Sequence, residues 1–158
     1  MGQLIDQTVQ TVRKISTGLR PEVLDEMGLV AAIGWQAKEF QKRTGIRCRL
    51  SLPPEIGTLE RELSTTMFRV FQEILTNVAR HSRATRVDIE LEVAADHVAL
   101  DVADNGVGIS DGDMSGRKSL GLLGMHERAL LFGGDVKITG TPSHGTRVSV
   151  SIPLKGRT

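Results

Sequence analysis

Polar and apolar positions change period several times along this chain, and each change marks an element. From Leu63 to His81, the residues Met67, Val70, Phe71, Ile74, Leu75 and Val78 fall at i, i+3, i+4 spacing, which predicts a helix with one buried face. Leu29 to Arg43 reads as a second helix, stopped by Gly45. A short helix from Glu22 to Glu26 precedes it, with Pro21 at its first turn and Gly28 as its break. Leu122 to Leu131 reads as another helix, ended by Gly133-Gly134. Leu4, Ile5, Thr8, Val9, Val12, Ile15 and Leu19 form one more helical stripe, whose partner is either this domain or another helix. Period two takes over in Ile46 to Leu52, Arg86 to Val93, His97 to Ala103, Val136 to Thr139 and Thr146 to Ile152. Ala95-Asp96 and Pro142-Ser143-His144-Gly145 supply hairpin turns. Residues 106–120, rich in Gly, Ser and Asp, read as a long functional loop, and the composition from Lys155 predicts a disordered tail. Mixed helices and strands, with hairpins at both ends of the strand set, predict an α/β two-layer sandwich. Its single sheet is mixed, mainly antiparallel, and covered by helices.

The length of 158 residues suits one domain with a real core. With four Phe, one Trp and no Tyr, that core is expected to be aliphatic, and Trp35 is expected to sit in it. Charge changes the picture by exclusion. The net charge is +1 with the two signs interspersed, and there is neither a basic block nor an aromatic platform, so nucleic acid is not the expected partner. No apolar run approaches the roughly 20 residues that span a bilayer, and no signal-peptide pattern opens the chain. The expected location is cytoplasmic, either free or as the soluble part of a membrane-bound sensor, with no membrane contact by these residues. The single cysteine, Cys48, excludes an intrachain disulfide, and it reads as a small core residue or a surface thiol.

Four short motifs carry candidate chemistry. Glu73, Asn77 and His81 lie four residues apart on the Leu63–His81 helix, with Arg80 three beyond Asn77. A carboxylate and a carboxamide are hard oxygen ligands suited to magnesium that also touches phosphate, and Arg80 could neutralise phosphate charge. Taken alone, the same stripe reads as a solvated helix face. Asp104 ends a strand ahead of Asn105-Gly106-Val107-Gly108. A carboxylate fixed there can accept from the exocyclic amine of adenine and would reject guanine, while Gly106 and Gly108 allow close backbone approach. Read alone, Asp-Asn-Gly is also good turn chemistry. Gly121-Leu122-Leu123-Gly124-Met125 opens a helix whose free N–H groups suit an anion, or is simply the end of a flexible loop. Gly145-Thr146 is a hairpin turn whose hydroxyl could reach a base through water. Ser115-Gly116-Arg117-Lys118-Ser119 lacks the glycine spacing of a P-loop.

In this order the four motifs resemble those of the GHKL ATPases, a superfamily that unites type II topoisomerases, a heat-shock chaperone, sensor histidine kinases and mismatch-repair ATPases. Within it the chain looks like the catalytic ATP-binding domain of a bacterial two-component sensor histidine kinase, of the nitrate-sensor class paired with helix-turn-helix response regulators. The likeness rests on Phe71-Gln72-Glu73-Ile74-Leu75-Thr76-Asn77-Val78-Ala79-Arg80-His81, on Leu19-Arg20-Pro21 with Gly28-Leu29, and on Gly121 to Met125 with Glu127-Arg128. It implies a GHKL fold, and ATP and Mg2+ as cofactors. Asn77 would bind the metal, and Glu73 would hold the metal's hydration shell or act as a base. Arg80 and His81 would lie near the phosphates. Asp104 would read the adenine amine, Gly106 and Gly108 would shape the pocket, and Thr146, after Gly145, would back the base. Residues 109–120 would form a lid, and Gly121, Leu122, Leu123, Gly124 and Met125 would line the phosphate site.

One departure bears on mechanism. Such kinases carry a phosphoacceptor histidine on a dimerisation hairpin, but the four His here are His81, His97, His126 and His144, and none lies in residues 1–20. Residues 1–20 resemble the end of a hairpin helix, 21–154 the catalytic domain and 155–158 a tail. The expected partners are therefore the dimerisation domain of the same kinase and a response regulator. The alternatives are an anti-sigma-factor-type serine kinase and a nucleotide-gated interaction module.

Overall fold

The computed structural model describes residues 22–54, 59–108, 117–141 and 143–154, with the backbone alone at 117–120 and 141. The stripe from Leu4 to Leu19, the hairpin-helix end, most of the expected lid, Pro142 and the tail lie outside the described residues.

Helix α1 spans Glu22–Thr44 and is kinked at Gly28, whose φ of 79° and ψ of 171° interrupt the helical path. That φ favours glycine, and Gly28 breaks the helical path where the sequence predicts it, between a short first helix and a longer second one. Gly45, at φ +77°, ends α1 by donating its N–H to the Gln41 carbonyl at 2.8 Å. Strand β1, Arg47–Ser51, leads to helix α2, Arg61–Asn77, which continues into a π-helical turn, Val78–Ser82. Strands β2, Arg86–Val93, and β3, His97–Asp104, follow as a hairpin. Helix α3, Arg117–Leu130, precedes strands β4, Asp135–Thr141, and β5, Gly145–Pro153. Residues 117–120 thus belong to α3, where the apolar pattern placed loop. Arg117-Lys118-Ser119 are all polar, so this helix start carries no apolar period in the sequence.

The five strands form one sheet in the order β1-β2-β3-β5-β4. Only β1 and β2 are parallel, so the sheet is mixed and mainly antiparallel, as the pattern predicted. Alternation decides which face is covered. Val87, Ile89 and Leu91 of β2, Val98, Leu100 and Val102 of β3, and Val148, Val150 and Ile152 of β5 are buried. Leu24, Leu29, Ala32, Ile33, Ala37 and Phe40 of α1 share one core with them, together with Leu63, Met67, Phe68, Val70, Phe71, Ile74 and Leu75 of α2. Leu122, Met125 and Ala129 of α3 complete it.

The core is mainly aliphatic, as expected, and one expectation about it needs correction, that of Trp35. Phe40, Phe68 and Phe71 are all fully buried, so three aromatic rings reinforce the aliphatic core. Trp35 is 43% exposed. It lies two residues from both Ile33 and Ala37, about half a helical turn away, and so points off the buried face. Cys48 is half-buried, and burial pushes its thiol up from the ordinary value.

The opposite face of the sheet is polar. Arg49 donates to Asp88, with Nη2 to Oδ2 at 3.0 Å, and Arg147 Nε donates to Asp101 Oδ1 at 2.8 Å. The hydrogen bond from Arg49 holds the Asp88 carboxyl below the usual carboxylate range. Whatever stability this adds is present above the ordinary carboxylate pKa and is lost as pH falls through the lowered one. Both partners are well exposed, so the pair contributes little. Among the described residues no helix is long and apolar enough to cross a membrane.

Phe71, fully buried on α2, makes the burial testable. Phe71→Ala should lower unfolding free energy by about 3–5 kcal/mol, since the site cannot collapse around the lost ring. Urea titration should show this as a lower midpoint at an unchanged slope.

Candidate functional site

Strand parity carries a carboxylate onto the covered face. Val98, Leu100 and Val102 face the helices, and Asp104, two residues on, has the same parity and stands opposite buried Val87. Among the described residues, the helix layer leaves this end of the sheet partly open. A cleft, partly open to solvent, lies here. Its apolar walls are Ile74 and Val78 of α2 and its π turn, Val102 of β3, Leu122 of α3, Ile138 of β4 and Val148 of β5. Its polar groups are Asn77, His81, Ser82, Asp104 and Thr146, with Gly108 at the edge. Flat apolar walls with a few convergent polar groups are what a small aromatic ligand needs.

Three turns meet beneath Asp104 and hold it. Gly106 N–H donates to Asp104 Oδ1 at 2.8 Å, tying the carboxylate to its own turn. Val107 N–H donates to the Ser82 carbonyl at 2.7 Å, and Ser143 N–H donates to the Val107 carbonyl at 2.7 Å. The loop after β3 is thereby strapped to the end of α2 on one side and to the β4–β5 turn on the other. Glycine is required where these turns touch. A methyl at Gly106 would overlap the Ser82 carbonyl, and one at Gly145 would overlap the Asp104 carbonyl. Gly145 also has a φ of +91°.

The π turn shapes the rim. Ser82 Oγ donates to the Val78 carbonyl at 2.7 Å and accepts the Ala84 N–H at 3.0 Å, and Arg83 follows at a φ of 55°. A π turn holds more residues per revolution than an α turn. His81 stays with Asn77 on the cleft, while Arg80 is exposed and does not line it. Glu73, one turn before Asn77, is half-buried beneath α3, with its carboxylate packed against Gly121.

The sequence-derived candidates therefore divide by position. Asn77, His81, Asp104, Gly108, Leu122 and Thr146 line the cleft. Gly106 and Gly145 are not among its lining residues, and pack against the Ser82 and Asp104 backbones beside it. Glu73 and Gly121 meet at the α2–α3 contact next to it. Leu123 is exposed, Gly124 is half-buried, and Met125 is in the core. The sequence reading gave no role to Ser82, Asn105, Val102, Ile138 or Val148. Val102 was findable from parity with Asp104, whereas Ile138 enters only through the pairing of β4 with β5, opposite Val148.

Residues 62–156 match the model of the histidine kinase-, DNA gyrase B- and HSP90-like ATPases. The chain belongs to that family. An ATPase domain of this family binds nucleotide, and the cleft beside Asp104 is its candidate pocket. The oxygen sensor histidine kinase NreB of Staphylococcus carnosus is 35% identical over 154 residues, which make up 98% of this chain and 43% of NreB. The sensor histidine kinase MctS of Rhizobium johnstonii is 36% identical over 154 residues, 96% of this chain and 33% of MctS. The chain thus spans less than half the length of these relatives. Among solved structures, the histidine kinase domain of the blue-light activated histidine kinase of Erythrobacter litoralis superposes with a TM-score of 0.69 at 21% identity. That superposition covers 82% of this chain and 62% of the other. The mycobacterial sensor histidine kinase MprB superposes at 0.58 with 20% identity, over 78% of this chain and 93% of its own. Both likenesses show that this fold is the ATPase-domain fold of histidine kinases.

Two glycines of this ATPase domain should respond differently to a methyl group. Gly145→Ala meets backbone and a disfavoured φ, and should lose more than about 1 kcal/mol of stability. Gly121→Ala meets only the end of the Glu73 side chain, which can rotate away, so its thermal midpoint should stay near that of the parent. Paired melting curves followed by circular dichroism check the contrast.

Proposed function

We propose that this chain is the ATP-binding catalytic domain of a sensor histidine kinase, with residues 21–154 as the catalytic unit. In this reading it donates the γ-phosphoryl group of Mg-ATP to a histidine on a dimerisation hairpin supplied from outside residues 21–154, for relay to a response regulator. The observation that carries the reading is Asp104 on the inner sheet face, at the end of a cleft with apolar walls. The family membership and the names of the relatives support it.

The residues present fit the nucleotide. Ile74, Val78, Val102, Ile138 and Val148 would sandwich a flat ring, Thr146 would back it, and Asp104 would accept from the exocyclic amine. Gly108 would border the base, and Gly106 and Gly145 would shape the pocket indirectly, by letting the Ser82 and Asp104 backbones pack closely beside it. The phosphates would run toward Asn77, Arg80 and His81, beside Gly121, Leu122, Leu123, Gly124 and Met125 at the α3 segment. Magnesium, held by the Asn77 carboxamide with Glu73 near its hydration shell, would supply charge neutralisation on the phosphate oxygens. Glu73 is the candidate to hold the proton of an incoming imidazole. Phosphoryl transfer is mostly positioning and charge neutralisation, so the acceptor must be brought in line by its own domain.

Three measurements test this. Asp104→Asn keeps the shape and removes the charged acceptor, so ATP affinity should fall about ten-fold or more in calorimetric titration. GTP binding the parent chain as well as ATP would remove Asp104 from this role. Asn77→Ala should weaken ATP binding with magnesium present and have a smaller effect with the metal chelated, whereas equal losses would assign Asn77 to packing. Incubated alone with labelled ATP, the chain should gain no acid-labile phosphate. Mixed at high concentration with the kinase's dimerisation hairpin, it should label a histidine there, slowly, because the effective concentration of a tether is missing. Acid-stable phosphate on a partner serine would favour the serine-kinase alternative, and tight ATP binding with no transfer to any partner would favour a nucleotide-gated module.

A further inference from the structure

The loop that presents Asp104 is held by a side chain that never reaches the cleft. Asn105 Oδ1 accepts the N–H groups of Thr85 and Arg86, both at 2.9 Å, and its Nδ2 donates to Thr85 Oγ1 at 2.9 Å. Its own N–H donates to the Arg86 carbonyl at 3.2 Å. One amide thus satisfies three partners on the turn that opens β2, and the backbone adds a fourth bond. The neighbouring residues bind the same segment, with Gly106 packed on the Ser82 backbone and Val107 N–H on the Ser82 carbonyl. Asp104 and Asn105 are consecutive and face opposite ways, one toward the cleft and one toward the β2 turn.

We propose that Asn105 is a positioning residue that fixes the reach of Asp104 into the cleft, and so sets the chain's preference for a purine bearing an exocyclic amine over one bearing a carbonyl. This rests on the nucleotide reading above. The physical reason is the steepness of hydrogen-bond energy with angle and distance. A carboxylate on a loop clamped from behind meets the amine at one geometry. A carboxylate on a loosened loop meets it at many, and discrimination falls because a tilted or water-bridged contact no longer separates donor from acceptor. Asn105 and Thr85 are exposed, so water can replace the lost partners and the fold survives the change. The clamp therefore acts on selectivity more than on global stability.

The test compares ATP and GTP affinities of the parent chain, Asn105→Ala and Asn105→Asp by calorimetry, with amide exchange at Thr85 and Arg86 and a thermal melt for each. Asn105→Ala should exchange faster at both amides and lose about five- to ten-fold in ATP affinity, with GTP little changed and the melting midpoint near the parent. Asn105→Asp keeps the acceptor oxygens and lets the Thr85 hydroxyl donate, so it should recover most of the ATP preference. An unchanged ATP-to-GTP ratio in Asn105→Ala overturns the proposal, whether or not stability falls, because the amide is then only a structural tie. If Asn105→Ala fails to fold, Thr85→Val removes a single partner and carries the same comparison. A narrowed ratio supports the clamp and an unchanged ratio overturns it. A parent chain with no preference for ATP sinks the nucleotide reading itself and the selectivity role with it. A parent that prefers ATP, beside an Asn105→Ala variant that prefers it equally, sinks the clamp alone.

Discussion

The pressing of α2 against the inner face of the sheet is the contact on which the rest depends. Met67, Phe68, Val70, Phe71, Ile74 and Leu75 are all buried there, and they hold the helix at one height and one rotation over the strands. With the helix so fixed, the positions after it in the same stripe have nowhere to go but the open end of the layer. Asn77 and His81 come to the rim of the cleft because Ile74 and Val78 are already committed to its wall. The alternation of β3 acts in the same way on the other side, since burying Val98, Leu100 and Val102 compels Asp104 to face the helices. A polar site has been assembled here by apolar packing.

Much of this was legible in the chain itself. The α2 face, the five strands and the parity of Asp104 follow from periods of 3.6 and 2, which survive folding because burial enforces them. The resemblance of four motifs pointed to one pocket, and the described residues do gather Asn77, His81, Asp104, Leu122 and Thr146 around a single cleft. What escaped had a different origin. The π turn at Val78–Ser82 has no periodic signature, and it forms where the Ser82 carbonyl is taken by Val107 instead of by the helix. The tie between Asn105 and Thr85 spans 20 residues, and nothing local to Asp-Asn-Gly distinguishes it from an ordinary turn. Trp35 stands off the core although its residue type favours burial, and Ile33 and Ala37 mark the buried side of α1.

Glycine serves two separate purposes in this molecule. At Gly106, Gly121 and Gly145 the missing side chain is space, occupied by a carbonyl or a carboxylate from elsewhere in the chain. At Gly28 nothing stands within 4 Å of where a side chain would be, so the residue is there for its backbone angles alone. The first kind draws distant segments together, and the second turns one segment on itself.

That second use has a mechanical consequence. An unbroken α-helix is a stiff rod, able to carry axial thrust and torque from one end to the other. A single residue at φ 79° and ψ 171° replaces the rod by two short shafts that meet at a joint with two torsional axes. Both shafts are seated in one core, the first by Leu24 and the second by Leu29, Ala32, Ile33, Ala37 and Phe40, so the joint sets the angle at which the two meet over the core that shapes the cleft.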